Sequence, residues 1–490
     1  MSDRLARWIL VVLLLAGFGL RVHGLGDAGL RLDEAGQAWA ATQPTLAGLV
    51  AIERTHVMAM PLDYVLTRAM ATVNDNEFVL RLPSAAWATL NIAALYALTR
   101  LLTGRRTAAL LAALLLTVSP LHVGYAQVLR FYASLSTFYA LACLLLYRAL
   151  RRPTGGRWAA FGLVTLIGAY SHPFVPTVAV NGAAYFLLAG PARRENRPAL
   201  LRFIGVMLVV GVLFLPGYLT FGVQHQYDFE PFQFSGSLRT VILSGLDWTT
   251  TLGVASAGPA AAVWRWVNAA LVALGLAALL RRRQVMALSL PLGAVAIGGL
   301  ILAGVVLSGY WLLPRQLFHL TQVGIFLAAV GAEEVARALA GRLSGEGRQR
   351  AARLALVGAL GVGAIAAARP TLQRFYTTPI ATGREAAAAL LVNYQPGAAA
   401  YIIPDYERQS LQYYLDRPTA APPGIRVQPT TPDELAATAA ANDGTIFLAL
   451  LGGSPEELAH YAGLGFRVLY DNPALGGRRY ILLVRDATAP

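Results

Sequence analysis

Residues 8–34 read WILVVLLLAGFGLRVHGLGDAGLRLDE, an apolar run followed at a short distance by two adjacent carboxylates, Asp33 and Glu34. The residues after the run lack a convincing small-x-small cleavage site, so we interpret it as a retained first membrane helix and not as a signal peptide. Charge is sparse in this chain, and an acidic pair beside a membrane span suggests a function. The alternative is a solvated pair at the start of a short helix, where carboxylates suit the helix dipole.

The composition places the chain in the membrane. Of its 490 residues, 56% are hydrophobic and 13% are charged, with a mean hydropathy of +0.53, which exceeds the apolar share of a soluble globular protein. The net charge of +14 does not indicate nucleic acid, because the arginines cluster in short loops between apolar runs. There is no lysine for a Walker motif or Schiff base, and the single cysteine, Cys143, excludes an intramolecular disulfide.

Ten further apolar runs follow the first, so the sequence predicts an α-helical polytopic protein with about eleven transmembrane helices. With the N-terminus in the cytoplasm, the arginine-rich loops fall inside, and the odd number of spans places residues 369–490 outside. We therefore predict a plasma-membrane protein with a transmembrane module at 1–368. The runs lie at 78–102, 107–127, 133–150, 158–171, 174–190, 199–220, 259–280, 285–307, 314–332 and 354–368.

Four segments lie outside the membrane: a turn at 119–132 and three longer segments. The first outer loop, 25–76, should form short amphipathic helices at 33–39, 45–53 and 61–70 that roof an active site. The outer loop 221–258 is rich in aromatics, which we interpret as membrane-belt residues or as a gate for acceptor or lipid. Residues 369–490 alternate helical patterns with apolar runs at 398–403, 445–451, 466–470 and 480–484, so we predict a small α/β domain for structure or substrate recognition.

Three arginines lie at outer ends of spans, where the inside-positive bias does not explain them: Arg81, Arg130 and Arg315. A planar guanidinium can bind a lipid phosphate bidentately, whereas the alternative for each is an anchoring or snorkelling side chain. Arg81 is as well explained by anchoring the start of its helix. His172 and His319 we interpret as buried structural histidines.

These motifs together resemble the GT-C membrane glycosyltransferases, and among them the protein O-mannosyltransferase and aminoarabinose transferase group of family 39. The resemblance covers roughly the first 330 residues. It rests on Asp33-Glu34, FVLRLPS at 78–84, SPLH at 119–122, YAQ at 125–127, RFY at 130–132 and Pro314-Arg315.

The resemblance implies that a sugar is transferred from a polyprenyl-phosphate donor at the outer membrane face. It places the catalytic base at the acidic pair, Asp33 and Glu34, and substrate binding at Arg130 with Tyr132 and at Arg315. Arg81 is a further candidate for substrate binding because it also lies at the outer end of a span. The sequence departs from the family pattern at three positions, which puts the donor sugar and acceptor in question. They are Val128, where relatives often carry Glu; Asp63, where aromatic or apolar residues are usual; and Gln316, in place of a common Tyr.

The chemistry also follows from these residue types. Displacing a lipid phosphate from an anomeric carbon needs a base on one face and positive charge on the leaving group, and a single displacement inverts the centre. Because guanidinium groups can supply the positive charge, no metal cofactor is required, and no H-E-x-x-H or D-x-D motif indicates a metal site. His56 and Glu53 could nevertheless join the acidic pair around a divalent metal. The acceptor, a lipid, glycan or protein, is left open.

Two other classes of membrane protein have a similar composition. A transporter or lipid flippase often shows corresponding broken helices in two halves, and we find no such repeat here. A non-catalytic scaffold for envelope assembly is the third interpretation. Neighbours on a helix point about a third of a turn apart, so one acid faces the cavity while the other caps or braces. For an enzyme we favour Asp33 as the base, because its shorter side chain at the helix start is held more firmly and because the resemblance places the base at the D of D-E.

Overall fold

A computed structural model describes residues 2–53, 60–190, 194–221, 247, 259–308, 314–378, 383–417, 424–472 and 479–487. These residues divide into two compact units. The helical unit comprises 1–23, 50–63 and 82–375, and the mixed unit comprises 24–49, 64–81 and 376–490. Most of the first outer loop therefore shares a unit with the predicted C-terminal domain. The outer loop 221–258 falls almost entirely outside the described residues, as does His56.

Helices lie at all eleven predicted positions. They are α1 Asp3–Val22, α5 Glu77–Thr103, the bent pair α6 Arg106–Val118 and α7 Pro120–Ala126, α8 Tyr132–Arg151, α9 Gly155–Ala169, α10 Val178–Ala189, α11 Arg197–Phe221, α12 Pro259–Arg281, α13 Val285–Ser308, α14 Thr321–Ala340 and α15 Glu346–Thr377. In the described part of the chain, seven helices are long and apolar enough to cross a membrane, or eight if the bent pair is one span. This confirms a multi-pass helical membrane protein.

Several predicted spans have other bounds in the structure, and two of them are not continuous α-helices. The tenth was predicted at 314–332, but Pro314–Leu320 forms a 3-10 helix and α14 then continues to Ala340. The extension is allowed because its acidic residues Glu333 and Glu334 are paired with arginines. Helix α6 ends at Val118 because Ser119 has an extended backbone and caps α7, with a bend of 59°.

The backbones of α12 and α14 are in close contact, and α14 is the helix that follows the segment with Arg315. A Cβ on Gly275 would lie 2.0 Å from the Leu327 carbonyl oxygen, and one on Gly331 would lie 1.9 Å from that of Leu271. Only glycine permits this approach, as small residues do between membrane helices. The 3-10 helix at 314–320 is thus followed by one of the most tightly packed helices of the unit.

The first outer loop forms the three short helices expected: α2 Leu32–Ala41, α3 Leu46–Glu53 and α4 Pro61–Ala71. The C-terminal segment adds α16 Gly383–Asn393, α17 Arg408–Leu415, α18 Pro432–Ala441 and α19 Pro455–Gly463. With the strands described next, this confirms the small α/β domain.

A five-stranded sheet forms the core of that domain, in the order β2-β1-β3-β5-β4. Its strands are β1 Ala399–Ile403, β2 Val427–Pro429, β3 Ile446–Leu451, β4 Arg467–Asn472 and β5 Tyr480–Arg485. Strands β2, β1 and β3 are parallel, and β5 runs antiparallel to β3 and β4. Four strands lie where the sequence predicted them. The remaining strand, β2, was missed because its three residues are too few to show an alternating pattern.

Candidate active site

Helix α2 begins directly at the acidic pair, and Glu34 closes its first turn. The Arg31 backbone is extended (φ −77°, ψ 166°), and its N–H donates to Glu34 Oε2 at 3.0 Å. This is the glutamate half of a capping box. The Glu34 side chain is only 1% exposed, so its carboxylate needs further partners.

Arg81 supplies those partners. Its Nε donates to Glu34 Oε1 at 2.8 Å and its Nη2 donates to Glu34 Oε2 at 2.9 Å. Its other donors bind carbonyl oxygens of the preceding loop: Leu25 at 3.0 Å, Ala28 at 2.7 Å and Gly29 at 2.8 Å. A guanidinium has five N–H groups, and these contacts use all five. Arg81 therefore has no donor left for a substrate, and it positions Glu34 and the loop before α2.

Asp33, by contrast, is exposed in the first turn of α2, where the helix dipole stabilises a carboxylate. Glu34 is therefore the residue that braces the start of α2. That Asp33 faces the cavity as the base stays a prediction. The sequence analysis favoured Asp33 as the base but did not identify Glu34 as the capping residue. The signal was present, since glutamate three residues after the N-cap is a capping pattern.

Helix α17 of the mixed unit holds the same loop from another side. Tyr414 accepts a hydrogen bond from the Leu30 N–H at 2.5 Å and donates to Glu77 Oε1 at 2.9 Å. Arg417 Nη2 lies 3.4 Å from Glu77 Oε1. These contacts were missed, because Tyr414 is 384 residues from Leu30 and no local pattern relates them. The C-terminal segment therefore positions the residues immediately before Asp33.

Arg130 lies in the turn between α7 and α8, in the helical unit. Its guanidinium carbon is 5.2 Å from the centre of the Phe131 ring. Gln127 anchors the turn by donating to the carbonyl oxygens of Arg21 at 3.1 Å and His23 at 2.7 Å. Tyr132 begins α8 and is buried. The turn thus presents Arg130 beside an aromatic cluster.

Arg315 lies in the 3-10 helix at 314–320, which contacts that cluster through Phe318. The Phe318 ring centre is 4.6 Å from that of Tyr125 and 6.5 Å from that of Tyr132. Because a 3-10 helix has three residues per turn, Arg315 and Phe318 share one face. The segments that carry Arg130 and Arg315 therefore meet at these rings. That the two arginines bind one phosphate stays a prediction.

Asp63 is an acidic residue of this region that sequence reasoning treated only as a departure from the family pattern. Its Oδ1 accepts from Ser134 Oγ at 2.9 Å and its Oδ2 accepts from Ser171 Oγ at 2.6 Å. Desolvation by burial raises the pKa of Asp63 from 3.8 to about 6, and the two hydroxyls and the Arg130 charge oppose the rise. Asp63 therefore changes charge near neutral pH, close to a candidate phosphate-binding arginine.

The two histidines behave as expected for buried residues. His172 is 4% exposed and its Nδ1 accepts from the Phe174 N–H at 3.1 Å. Burial lowers the pKa of His172 well below its usual value, so it stays neutral. His319 is fully buried and lies edge-on to Tyr139. Among the described residues, no three His, Cys, Asp or Glu side chains are grouped to hold a metal ion.

Comparison with known proteins agrees with this architecture. The sequence profile described as dolichyl-phosphate-mannose-protein mannosyltransferase matches residues 59–218. The crystal structure of ArnT from Cupriavidus metallidurans in the apo state matches with a TM-score of 0.66 at 15% identity, over 100% of both chains. The chain has the GT-C fold and resembles family 39.

Two further structures share the GT-C fold. ArnT from Cupriavidus metallidurans bound to undecaprenyl phosphate matches with a TM-score of 0.60 at 15% identity, again over 100% of both chains. An Archaeoglobus fulgidus oligosaccharyltransferase tethered to an acceptor peptide has a TM-score of 0.54 at 13% identity, over 87% of this chain and 64% of that one. A search of curated proteins finds no match. The segment that the family profile matches contains Asp63, Arg81 and Arg130 but neither Asp33 nor Arg315.

Proposed function

We propose that this protein transfers a sugar from a polyprenyl-phosphate donor to an acceptor hydroxyl at the outer face of the cell membrane. The observation that carries the proposal is the likeness of the whole chain to ArnT, a structure of which holds undecaprenyl phosphate. The exposed acid of α2 and the arginines of the helical unit supply the residue types that such a transfer requires.

In this proposal Asp33 is the base. Its carboxylate takes the proton of the acceptor hydroxyl as that oxygen attacks the anomeric carbon. The bond from the anomeric carbon to the phosphate oxygen breaks, and its electron pair leaves with the lipid phosphate. One displacement inverts the anomeric centre. Glu34 and Arg81 are positioning residues that hold the first turn of α2.

Arg130 and Arg315, with Tyr132, bind the lipid phosphate. A polyprenyl phosphate leaves as an anion and needs no general acid, but its charge grows as the bond breaks. Two guanidinium groups on adjoining segments offset that charge, and their fork geometry suits phosphate oxygens. With these charges in place, the reaction requires no metal cofactor, although a divalent ion could assist.

The test is to incubate the purified protein with a panel of polyprenyl-phosphate sugars and to detect transfer or hydrolysis by mass spectrometry. Asp33→Asn should lower turnover by a factor of roughly a hundred to ten thousand, because a general base is lost, while donor binding is kept. Turnover equal to that of the unmodified protein, with a working acceptor, would sink the assignment.

The chain offers a matched control. Asp433 occupies the same position in α18 as Asp33 does in α2, since in both helices the following glutamate accepts from the N-cap N–H at 3.0 Å. Asp433 is exposed on the C-terminal domain. Asp433→Asn removes the same charge from the same helical position, so it should leave turnover unchanged.

A further inference from the structure

A second group of charged side chains lies at the far end of the helical unit. A cavity of about 640 Å³ opens between the end of α5, the start of α6, the end of α14 and the start of α15. We call it the arginine pocket. Its polar lining includes six arginines, Arg100, Arg105, Arg106, Arg337, Arg350 and Arg353.

The arginine pocket is separate from the candidate phosphate site of the proposed reaction. The pair α6 and α7 begins at Arg106 in the pocket and ends at Ala126, four residues before Arg130. Helix α14 begins at Thr321, just after the segment with Arg315, and reaches the pocket only at its other end. The two sets of arginines therefore lie at opposite ends of the same helices.

Two glutamates of α14 hold the pocket arginines in place. Glu333 is fully buried; its Oε1 lies 2.6 Å from Arg353 Nη2, and its Oε2 accepts from Thr107 Oγ1 at 2.5 Å. Glu334 pairs with Arg105 and, at 2.7 Å, with Arg282 Nη2. Buried carboxylates are costly unless their partners are ordered, so these contacts organise a rigid basic wall.

The pocket keeps an excess of positive charge after this pairing. Six arginines line it; four of them pair with Glu333, Glu334 or Asp3, and the acidic residue of the lining is Glu346. Arg100 and Arg350 have no carboxylate partner among the residues that the structure describes. A concave surface with charge of one sign concentrates ions of the other sign. The inside-positive bias accounts for arginines at this end of the helices, but it does not require them to converge on a cavity.

We propose that the arginine pocket binds a phosphate-bearing anion. Guanidinium groups match phosphate oxygens bidentately, and basic pockets between membrane helices suit the headgroups of anionic phospholipids. The same chemistry would suit a soluble polyphosphate. In either case the ligand differs from the sugar donor and binds at the opposite end of the helical unit, so the inference does not depend on the transfer reaction.

The test uses the purified full-length protein in detergent. Retention of phosphatidylglycerol, with phosphatidylcholine as the neutral lipid, is measured by native mass spectrometry, and pyrophosphate is titrated in a thermal-shift experiment. The variant is Arg100→Gln with Arg350→Gln, which breaks no ion pair in the described residues. The control is Arg342→Gln with Arg348→Gln. Both arginines are exposed and lie nearby in the chain without lining the pocket, so the double substitution removes the same charge outside it.

We expect the pocket variant to weaken phosphatidylglycerol retention or pyrophosphate affinity about tenfold or more, while the control variant binds like the unmodified protein. Loss confined to the lipid identifies a lipid headgroup, and loss confined to pyrophosphate identifies a soluble anion. Equal binding by the pocket variant, or an equal loss in the control variant, would overturn the proposal.

Discussion

Asp63 and Arg130 carry opposite charges within the helical unit, and the charge of Asp63 depends on its surroundings. Its carboxylate accepts from Ser134 and Ser171, while burial raises its pKa to about 6. An acid whose folded pKa exceeds its unfolded value binds more protons when folded. Its contribution to stability is therefore present below about pH 4 and is lost as the pH rises through about 6.

Asp63→Asn should remove this pH dependence, since the amide keeps an oxygen for the two serines. The variant should become more stable relative to the unmodified protein as the pH rises from 4 to 7. The gain should be no more than about 3 kcal/mol, which corresponds to a shift of about two pKa units. Melting temperatures of both proteins at pH 4.5, 6 and 7.5 measure it. A difference that is constant across this range would contradict the assignment.

Arg130 and Arg315 lie on segments that meet through Phe318, Tyr125 and Tyr132. If both bind the donor phosphate, Arg→Ala at either position should weaken donor binding by about 1.5 to 3 kcal/mol. The two losses should not add in the double variant, because both arginines act on one group. Donor affinity measured for the single and double variants tests this. Strict additivity would indicate separate sites.

At the scale of the element, α2 depends on a buried ion pair. Glu34 and Arg81 are 1% and 4% exposed, and their contacts join the start of α2 to the loop before it. Removing one partner would leave the other charge buried. Glu34→Gln should therefore destabilise the protein by about 3 to 5 kcal/mol, whereas Asp33→Asn should not.

The compensating change separates this positioning role from a chemical one. Arg81→Met in the Glu34→Gln background removes the stranded charge, so part of the lost stability should return, as seen by melting temperature. If Glu34 only positions α2, turnover should recover with stability. Turnover that is absent in Glu34→Gln itself, while the melting temperature and donor binding show that this variant is folded, would instead assign the base to Glu34.

At the scale of the whole molecule, the topology decides where the proposed reaction takes place. The arginine-rich loops favour a cytoplasmic N-terminus, and eleven spans would then leave the C-terminal domain outside. A reporter fused after Pro490 should be active only outside the cytoplasm, and one fused in the loop at 281–283 only inside. Activity of the Pro490 fusion in the cytoplasm would mean an even number of spans and would remove the basis for an outer-face site.

The sequence by itself determined the membrane class, the positions of eleven helices and four of five strands. Hydrophobic runs and turn residues are local signals, and each such element must bury its own apolar surface. It also identified the acidic pair and the arginines at span ends, because charge is rare in this chain and stands out where it occurs.

Only the tertiary structure decided which of these acidic residues and arginines position the chain and which are left for a substrate. A local capping contact distinguishes Glu34 from Asp33, but Glu34 is neutralised by Arg81, which lies 47 residues away. Tyr414 reaches the loop before α2 from the C-terminal domain, and Asp63 acquires its raised pKa from burial, which the hydroxyls of Ser134 and Ser171 oppose. Burial, desolvation and pairing arise between residues that are distant in the chain, so no pattern along the chain carries them.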